Sequence, residues 1–244
     1  MTIDQLVAYS INYDGEYSLI KKALASNEPY EPILDVPKVI TLLDDTYPES
    51  LRNLQEPPYV LYYKGNLDLL KQTAIAIVGS RKPQTYATQM TQKIVGLLSK
   101  KYVIVSGLAK GIDALAHKEG LMENSTIAVL GCGIDRIYPY ENKDLFILIQ
   151  NKGLIVSEYP GSCLPLKHHF PFRNRIVAAL GKGLVVMQAD LKSGSMITVN
   201  EALNLGKEVY TIPYQVNSLE GQGCNLLIQQ GASMILDEED ILSI

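Results

Sequence analysis

The chain has 244 residues, of which 47% are hydrophobic and 20% charged, with 22 Lys and Arg against 26 Asp and Glu. That composition can bury one sizeable core and excludes a disordered chain, while three scattered cysteines (Cys132, Cys163, Cys224), none in a C-x-x-C pair, exclude a disulfide framework. With no leading basic-then-apolar signal, no apolar run approaching the roughly 18 residues of a membrane span and no H-E-x-x-H or His-rich tract, the expectation is a reducing cytoplasm, no membrane partner, no cofactor and no metal site.

Apolar residues at helical spacing, Leu6, Tyr9 and Ile11 and then Tyr17, Ile20, Ala23 and Leu24, predict two short helices ended by the breaks at Asn27-Glu28-Pro29 and Val36-Pro37. This is a small N-terminal helical segment over residues 1–40. Asp44 to Pro58 is rich in turn formers, and Tyr59-Val60-Leu61-Tyr62-Tyr63 before Lys64-Gly65-Asn66 reads as a strand running into a turn. From there the pattern becomes regular. Ala74 to Val78, Val103 to Val105, Ile127 to Leu130, Leu154 to Val156, Leu184 to Met187 and Val209 to Ile212 are nearly continuous apolar runs, as in strands buried on both faces. Segments of helical period lie between them: Thr85 to Ser99, Ile112 to Glu119, Asn142 to Gln150, Asn174 to Leu180 and Thr198 to Leu205. Strand and helix in alternation predict an α/β fold with a doubly wound, mostly parallel sheet over residues 41–244.

Small residues follow several strands, at Gly79-Ser80, Ser106-Gly107 and Gly131-Cys132-Gly133. Open parallel sheets bind ligands at the carboxyl ends of their strands, where small residues let backbone amides approach an anion. Arg81 follows the first long strand and should emerge at that crevice, and Lys110 lies in the next strand-to-helix turn. Asp113 and His117, four apart, are expected to pair along one helix, and Glu158 at a strand end is a possible base without a visible partner.

Charge is unevenly spread. Up to Val60 there are ten acids and four bases, and Asp237-Glu238-Glu239-Asp240 is wholly acidic, yet Lys64 to Leu236 holds eighteen bases and twelve acids. From Tyr159 to Ala189 the only charged side chains are Lys167, Arg173, Arg175 and Lys182, a local field that attracts anions. Lys167 to Arg175 places three permanent cations and two phenyl rings, Phe170 and Phe172, in nine residues without an acid. Guanidinium and ammonium groups take phosphate oxygens and a ring takes an unpaired base, so the run suits single-stranded nucleic acid. A Pro-Phe corner is expected to hold it; the competing reading makes the two rings core residues and the arginines solvated ends of a helix.

These motifs together resemble the DNA-processing protein A family, also called Smf. The likeness runs from about Asp44 to Ile235 through Tyr47-Pro48, Pro57-Pro58, the run Ala76 to Pro83, Val105 to His117, Ala128 to Pro139, Val156 to Pro160, Phe170 to Leu180, Ser193 to Thr198, and the late Gly223, Asn225, Leu227-Ile228 and Gly231-Ala232. The resemblance implies an extended Rossmann domain that binds single-stranded DNA without catalysis, protects incoming strands in natural transformation, and loads the RecA recombinase as a homodimer joined through its C-terminal region. It implies phosphate contacts by Arg81 and Lys167 and a base contact by Phe170, with Arg173, Asn174 and Arg175 shaping or lining the same pocket. Three neutralised phosphates would give a log-log salt slope near about −2. The chain departs from the family pattern at Gln188, Tyr214 and Ala87. Only about ten residues follow Met234, so the winged-helix domain of many members is not expected, and the N-terminal domain is expected to be reduced.

The alternative is a nucleotide hydrolase of the phosphoribohydrolase class on a related fold. Its motif P-G-G-x-G-T-x-x-E is met in Ser193 to Glu201 only at Gly194, Thr198 and Glu201. The G-x-x-x-x-G-K-[ST] loop of ATPases is absent, and in the G-x-G-x-x-G dinucleotide pattern Arg136 takes the third glycine's place.

Overall fold

The computed structural model describes residues 1–123 and 125–244. Thr2 caps α1 (Ile3–Asn12), its hydroxyl oxygen accepting the Gln5 N–H at 3.2 Å, and α2 (Tyr17–Ser26) stops where Asn27 turns left-handed at φ 47°. There follow β1 (Val39–Thr41), α3 (Glu49–Arg52), β2 (Val60–Gly65), β3 (Ala74–Val78), α4 (Thr85–Leu98), β4 (Val103–Ser106), α5 (Ile112–Glu123), β5 (Thr126–Leu130), α6 (Lys143–Lys152), β6 (Leu154–Ser157), α7 (His169–Leu180), β7 (Gly181–Val186), α8 (Ser195–Asn204), β8 (Val209–Thr211), α9 (Gln222–Gln229), β9 (Ser233–Met234) and α10 (Glu238–Ser243).

The strands form one sheet in the order β1-β2-β6-β5-β4-β3-β7-β8-β9. From β6 to β9 every neighbour is parallel, and β2 and β1 extend the sheet as an antiparallel edge. The chain winds outward from β3 to β6 and then crosses to β7 on β3's other side, which makes β3 the point where strand order reverses. Sheets wound in this way open a crevice there, beyond the carboxyl ends of the strands.

Side-chain size on β3 sets the two helical layers. Ala74, Ala76 and Val78 face α7 and α8, whereas Ile75 and Ile77 face α4 and α5. The alanines bring α7 close to the sheet, and the isoleucines fill the wider gap on the opposite face. Buried hydroxyls at strand positions each meet a neighbouring carbonyl: Ser106 Oγ donates to Ile77 O, Thr126 Oγ1 to Ile104 O and Thr211 Oγ1 to Val186 O, all at 2.7 Å.

The N-terminal segment is docked on this sheet. Leu6 of α1 shares a cluster with Val60, Tyr62 and Phe146, and Tyr62 donates its hydroxyl proton to Ser10 at 2.9 Å. At the other end the acidic run becomes the capping box of α10, with Asp237 and Asp240 reciprocally bonded and Ile241 and Ile244 buried beside α4. Of the C-terminal apolar residues, Leu227 and Ile235 are core, while Met234 and Leu236 are exposed.

The start of α7 differs from the expected corner before Asn174. The helix begins at His169 and takes Phe170, Pro171 and Phe172 into its first turn. Proline is tolerated there because the first amides of a helix have no intrahelical acceptor to lose.

If the gap between β3 and α7 is set by alanine, Ala76→Leu overpacks it. Equilibrium urea unfolding should show a loss of about 1–3 kcal/mol.

Candidate functional site

A groove of about 800 Å³ opens at the strand-order reversal. Arg81 from the β3 turn, Gly107 from the β4 turn, Lys167 and Phe170 from the start of α7, and Ser193 to Ser195 from the start of α8 all line it. Helix amino termini carry unbonded N–H groups and a partial positive charge, so α7 and α8 add to the field of the cations. Asp113 and Asp190 are the acids on the wall. A larger hollow of about 1080 Å³ lies between the N-terminal segment and β2, but its cations Lys38, Lys64 and Arg136 are balanced by Asp14, Asp35 and Asp135, with Lys64 2.7 Å from Asp135. The uncompensated charge is at the first groove.

The sequence-predicted cations divide into two kinds. Arg81 and Lys167 are exposed on the groove, and neither makes an ion pair or side-chain hydrogen bond with any described residue. Arg173 and Arg175 are buried, each 5% exposed. Arg173 crosses the strand ends and donates through Nη1 to Gly107 O at 2.8 Å and to Val129 O. Gly107 has to be glycine for this, since a Cβ there would collide with the guanidinium and lie 2.8 Å from Asp113 Oδ2. Asn174 lines the groove and takes a weak 3.4 Å contact from Arg173 Nε.

Arg175 is a correction. It does not line the groove but grips buried Glu158 through Nη2 at 2.8 and 2.9 Å, donates from Nε to Glu56 O at 2.9 Å, and lies 3.7 Å from the centre of the Phe172 ring. That fixes Glu158 as a structural counter-ion rather than a base. Burial pushes its carboxyl upward, and the Arg175 charge opposes the shift. Phe172 accordingly belongs to packing, against Arg175 and Tyr17.

Lys110 also lies off the groove wall. Its ammonium pairs with Glu141, and Asn142 Nδ2 donates to Leu108 O at 3.0 Å and Ala109 O at 3.2 Å, holding a turn whose Leu108 has φ 57°. Asp113 and His117 do not pair with each other. Asp113 accepts the Ala109 N–H at 3.2 Å and faces Arg173; burial raises its carboxyl while that charge pulls it back. His117 turns inward, its Nδ1 2.6 Å from Thr126 Oγ1, and burial, followed by the nearby Arg173 charge, pushes it down to about 3.

Phe170 is half-buried, and its ring rests on Gly131 at the end of β5, where a Cβ would lie 2.9 Å from Cδ1. Beside it stands exposed Tyr138, ring centres 5.5 Å apart and tilted by 43°. Sequence reasoning missed Tyr138 as a site residue, although its place in the loop after β5 put it at the ligand edge. It also missed Asp190 and the serines opening α8. Glu201, the carboxylate of the hydrolase motif, is not among the groove-lining residues.

The departures act locally. Gln188 accepts the Gln84 N–H at 3.0 Å, and Tyr214 donates to Met187 O at 2.5 Å while its backbone is bracketed by Asn225.

Fold and groove together define an open, mostly parallel α/β protein with a cation-bearing groove at the strand-order reversal. The chain matches the family described as DNA recombination-mediator protein A over residues 38–244, and it belongs to that family. It is 44% identical over 204 residues to DNA processing protein DprA of Streptococcus pneumoniae, covering 83% of this chain and 72% of that one. Its fold is similar to the crystal structure of the Streptococcus pneumoniae protein, with a TM-score of 0.83, 36% identity, and 98% and 92% of the two chains covered. It is also similar to the structure of DNA processing protein A from Helicobacter pylori, described for its single-stranded DNA binding mode, with a TM-score of 0.77, 35% identity, and 85% and 95% covered. Among the described residues no helix is long and apolar enough to cross a membrane.

Two predictions follow from the buried ionisable groups. Glu158→Ala leaves Arg175 buried without its counter-ion and should cost about 3–5 kcal/mol of stability in denaturant titration. His117 stays neutral when folded but charges when unfolded, so its contribution is complete above pH 6.5 and falls as pH drops toward about 3. The loss approaches about 1.4 kcal/mol per pH unit within that window, and unfolding curves of His117→Asn should show a correspondingly flatter acid limb.

Proposed function

We propose that this chain is a non-enzymatic single-stranded DNA-binding protein, with the strand lying in the groove at the β3 reversal. Arg81 and Lys167 contact phosphates, Phe170 takes a base on its open face, and Tyr138 extends the stacking surface outward. Arg173 and Asn174 shape the floor, and Arg175 and Lys110 stay in their structural roles. The observation that carries the reading is that two unpaired cations, Arg81 and Lys167, and the half-buried ring of Phe170 line one groove. A metabolite pocket would close around its ligand; an open groove with sequence-tolerant stacking fits a polymer. In keeping with its family, the chain would protect incoming strands in natural transformation and load the RecA recombinase. It would act in the cytoplasm as a homodimer through exposed C-terminal residues such as Met234 and Leu236, which raises affinity through effective concentration.

Fluorescence anisotropy with a labelled short oligonucleotide tests the site. Arg81→Glu and Lys167→Glu should each abolish binding while circular dichroism stays unchanged, and Phe170→Ala should weaken it by about 1–3 kcal/mol. With Arg173 occupied by carbonyls, only two cations are free, and the salt slope should be near about −1.4 per module rather than −2. Wild-type binding by both charge-reversed variants would overturn the assignment.

A further inference from the structure

We propose that Glu16, His168 and His169 form a binding site for a divalent transition-metal ion of the zinc type. The fold brings Glu16, at the end of the turn before α2, against two histidines some 150 residues later in the chain. Glu16 Oε1 lies 2.9 Å from His168 Nε2 and 2.9 Å from His169 Nε2. Among the described residues this is the one group of three His, Cys, Asp or Glu whose ligand atoms all fall within 4.8 Å of one another.

Bonds of about 2.0–2.2 Å in a tetrahedral site hold ligand atoms roughly 3.3 Å apart, so the two Glu16 contacts need to open by about 0.4 Å and the two imidazole nitrogens, within 4.8 Å of each other, to settle at the same spacing. Two imidazole nitrogens and one carboxylate match a zinc site that keeps a position for water, and imidazole selects zinc, cobalt or nickel over magnesium and calcium. Solvent reaches this position, since the His168 side chain is 63% exposed and that of Glu16 is 32% exposed. The His169 ring is sealed and stacked on Tyr159 at 3.9 Å, which holds its Nε2 toward Glu16 before any ion arrives.

The orphaned atom of this cluster sets the strength of binding. His169 Nδ1 is buried and has no partner. When the ion takes Nε2, the ring proton moves to Nδ1, where no acceptor raises the ligand's basicity. Affinity is therefore expected well short of that of a folding-grade zinc site. An ion bound here joins the N-terminal segment to the first turn of α7, whose neighbours Lys167 and Phe170 line the groove.

The test uses the full chain, stripped with chelator and then titrated with Zn²⁺ by calorimetry and with Co²⁺ by visible absorbance. One ion per chain should bind, with the intense cobalt bands of a four-coordinate site, and Zn²⁺ should raise the melting temperature. His168→Ala and Glu16→Gln, one exposed and one isosteric, should each weaken binding by about tenfold or more and lose the thermal shift. Absence of binding to the wild type, or equal affinity in both variants, overturns the proposal. The readout is the metal alone, so its failure leaves the DNA reading intact.

Discussion

The buried guanidinium of Arg173 is the constraint on which the groove depends. It bonds carbonyls at the ends of β4 and β5, strands that would otherwise present those oxygens to the ligand crevice. An unpaired carbonyl pointing into the groove would weaken its positive field, so Arg173 preserves that field as well as tying α7 to the sheet edge. Asp113 keeps that cation acceptable in a buried place. Arg175 does the same work two residues further along the helix, locking α7 to Glu158 just after β6. Between them the two arginines set the rotation of α7 about its axis, and that rotation decides where Phe170 points.

Seen from the ligand side, the run from Lys167 to Arg175 divides by depth. Its exposed end supplies Lys167, its middle supplies the half-buried ring of Phe170, and its buried end supplies the anchors. An ammonium group held on a flexible stem at the lip can follow a phosphate, whereas a planar guanidinium with several fixed donors is better suited to clamping carbonyls and a carboxylate. Arg81 reaches the same lip from β3, where the strand order reverses and the two halves of the sheet leave room for a ligand.

Much of this was legible in the residues. Apolar runs buried on both faces announced the parallel strands, and the small residues after them marked the edge at which Arg81, Gly107 and Gly131 now stand. What escaped was the direction of each side chain. Lys110 and Glu158 sit at strand ends as expected, but Glu141 and Arg175, distant in sequence, claim them. His117 is on the same helix as Asp113, yet β5 offers Thr126, and a tertiary partner prevailed over helical spacing. Pro171 looked like a break, and only its place in a first turn, where no amide is missed, lets the helix start before it. The side-chain misses are tertiary pairings, which spacing along one chain does not encode, whereas the Pro171 miss is a local one.

The same separation of local from long-range information explains why the groove can be open without being loose. Its walls come from the turns after β3, β4 and β5 and from the starts of α7 and α8. Three of these pieces are fastened by a bond to something behind them: Asn142 behind the β4 turn, Gln188 behind the residue before α4, Glu158 behind α7. Arg81 and Lys167 are thereby left without an ion pair on the groove among the described residues. A charged groove remains attractive to anions only if the fold does not neutralise it from within, and here Arg175 meets Glu158 away from the groove while Arg81 and Lys167 have no ion-pair partner among the described residues.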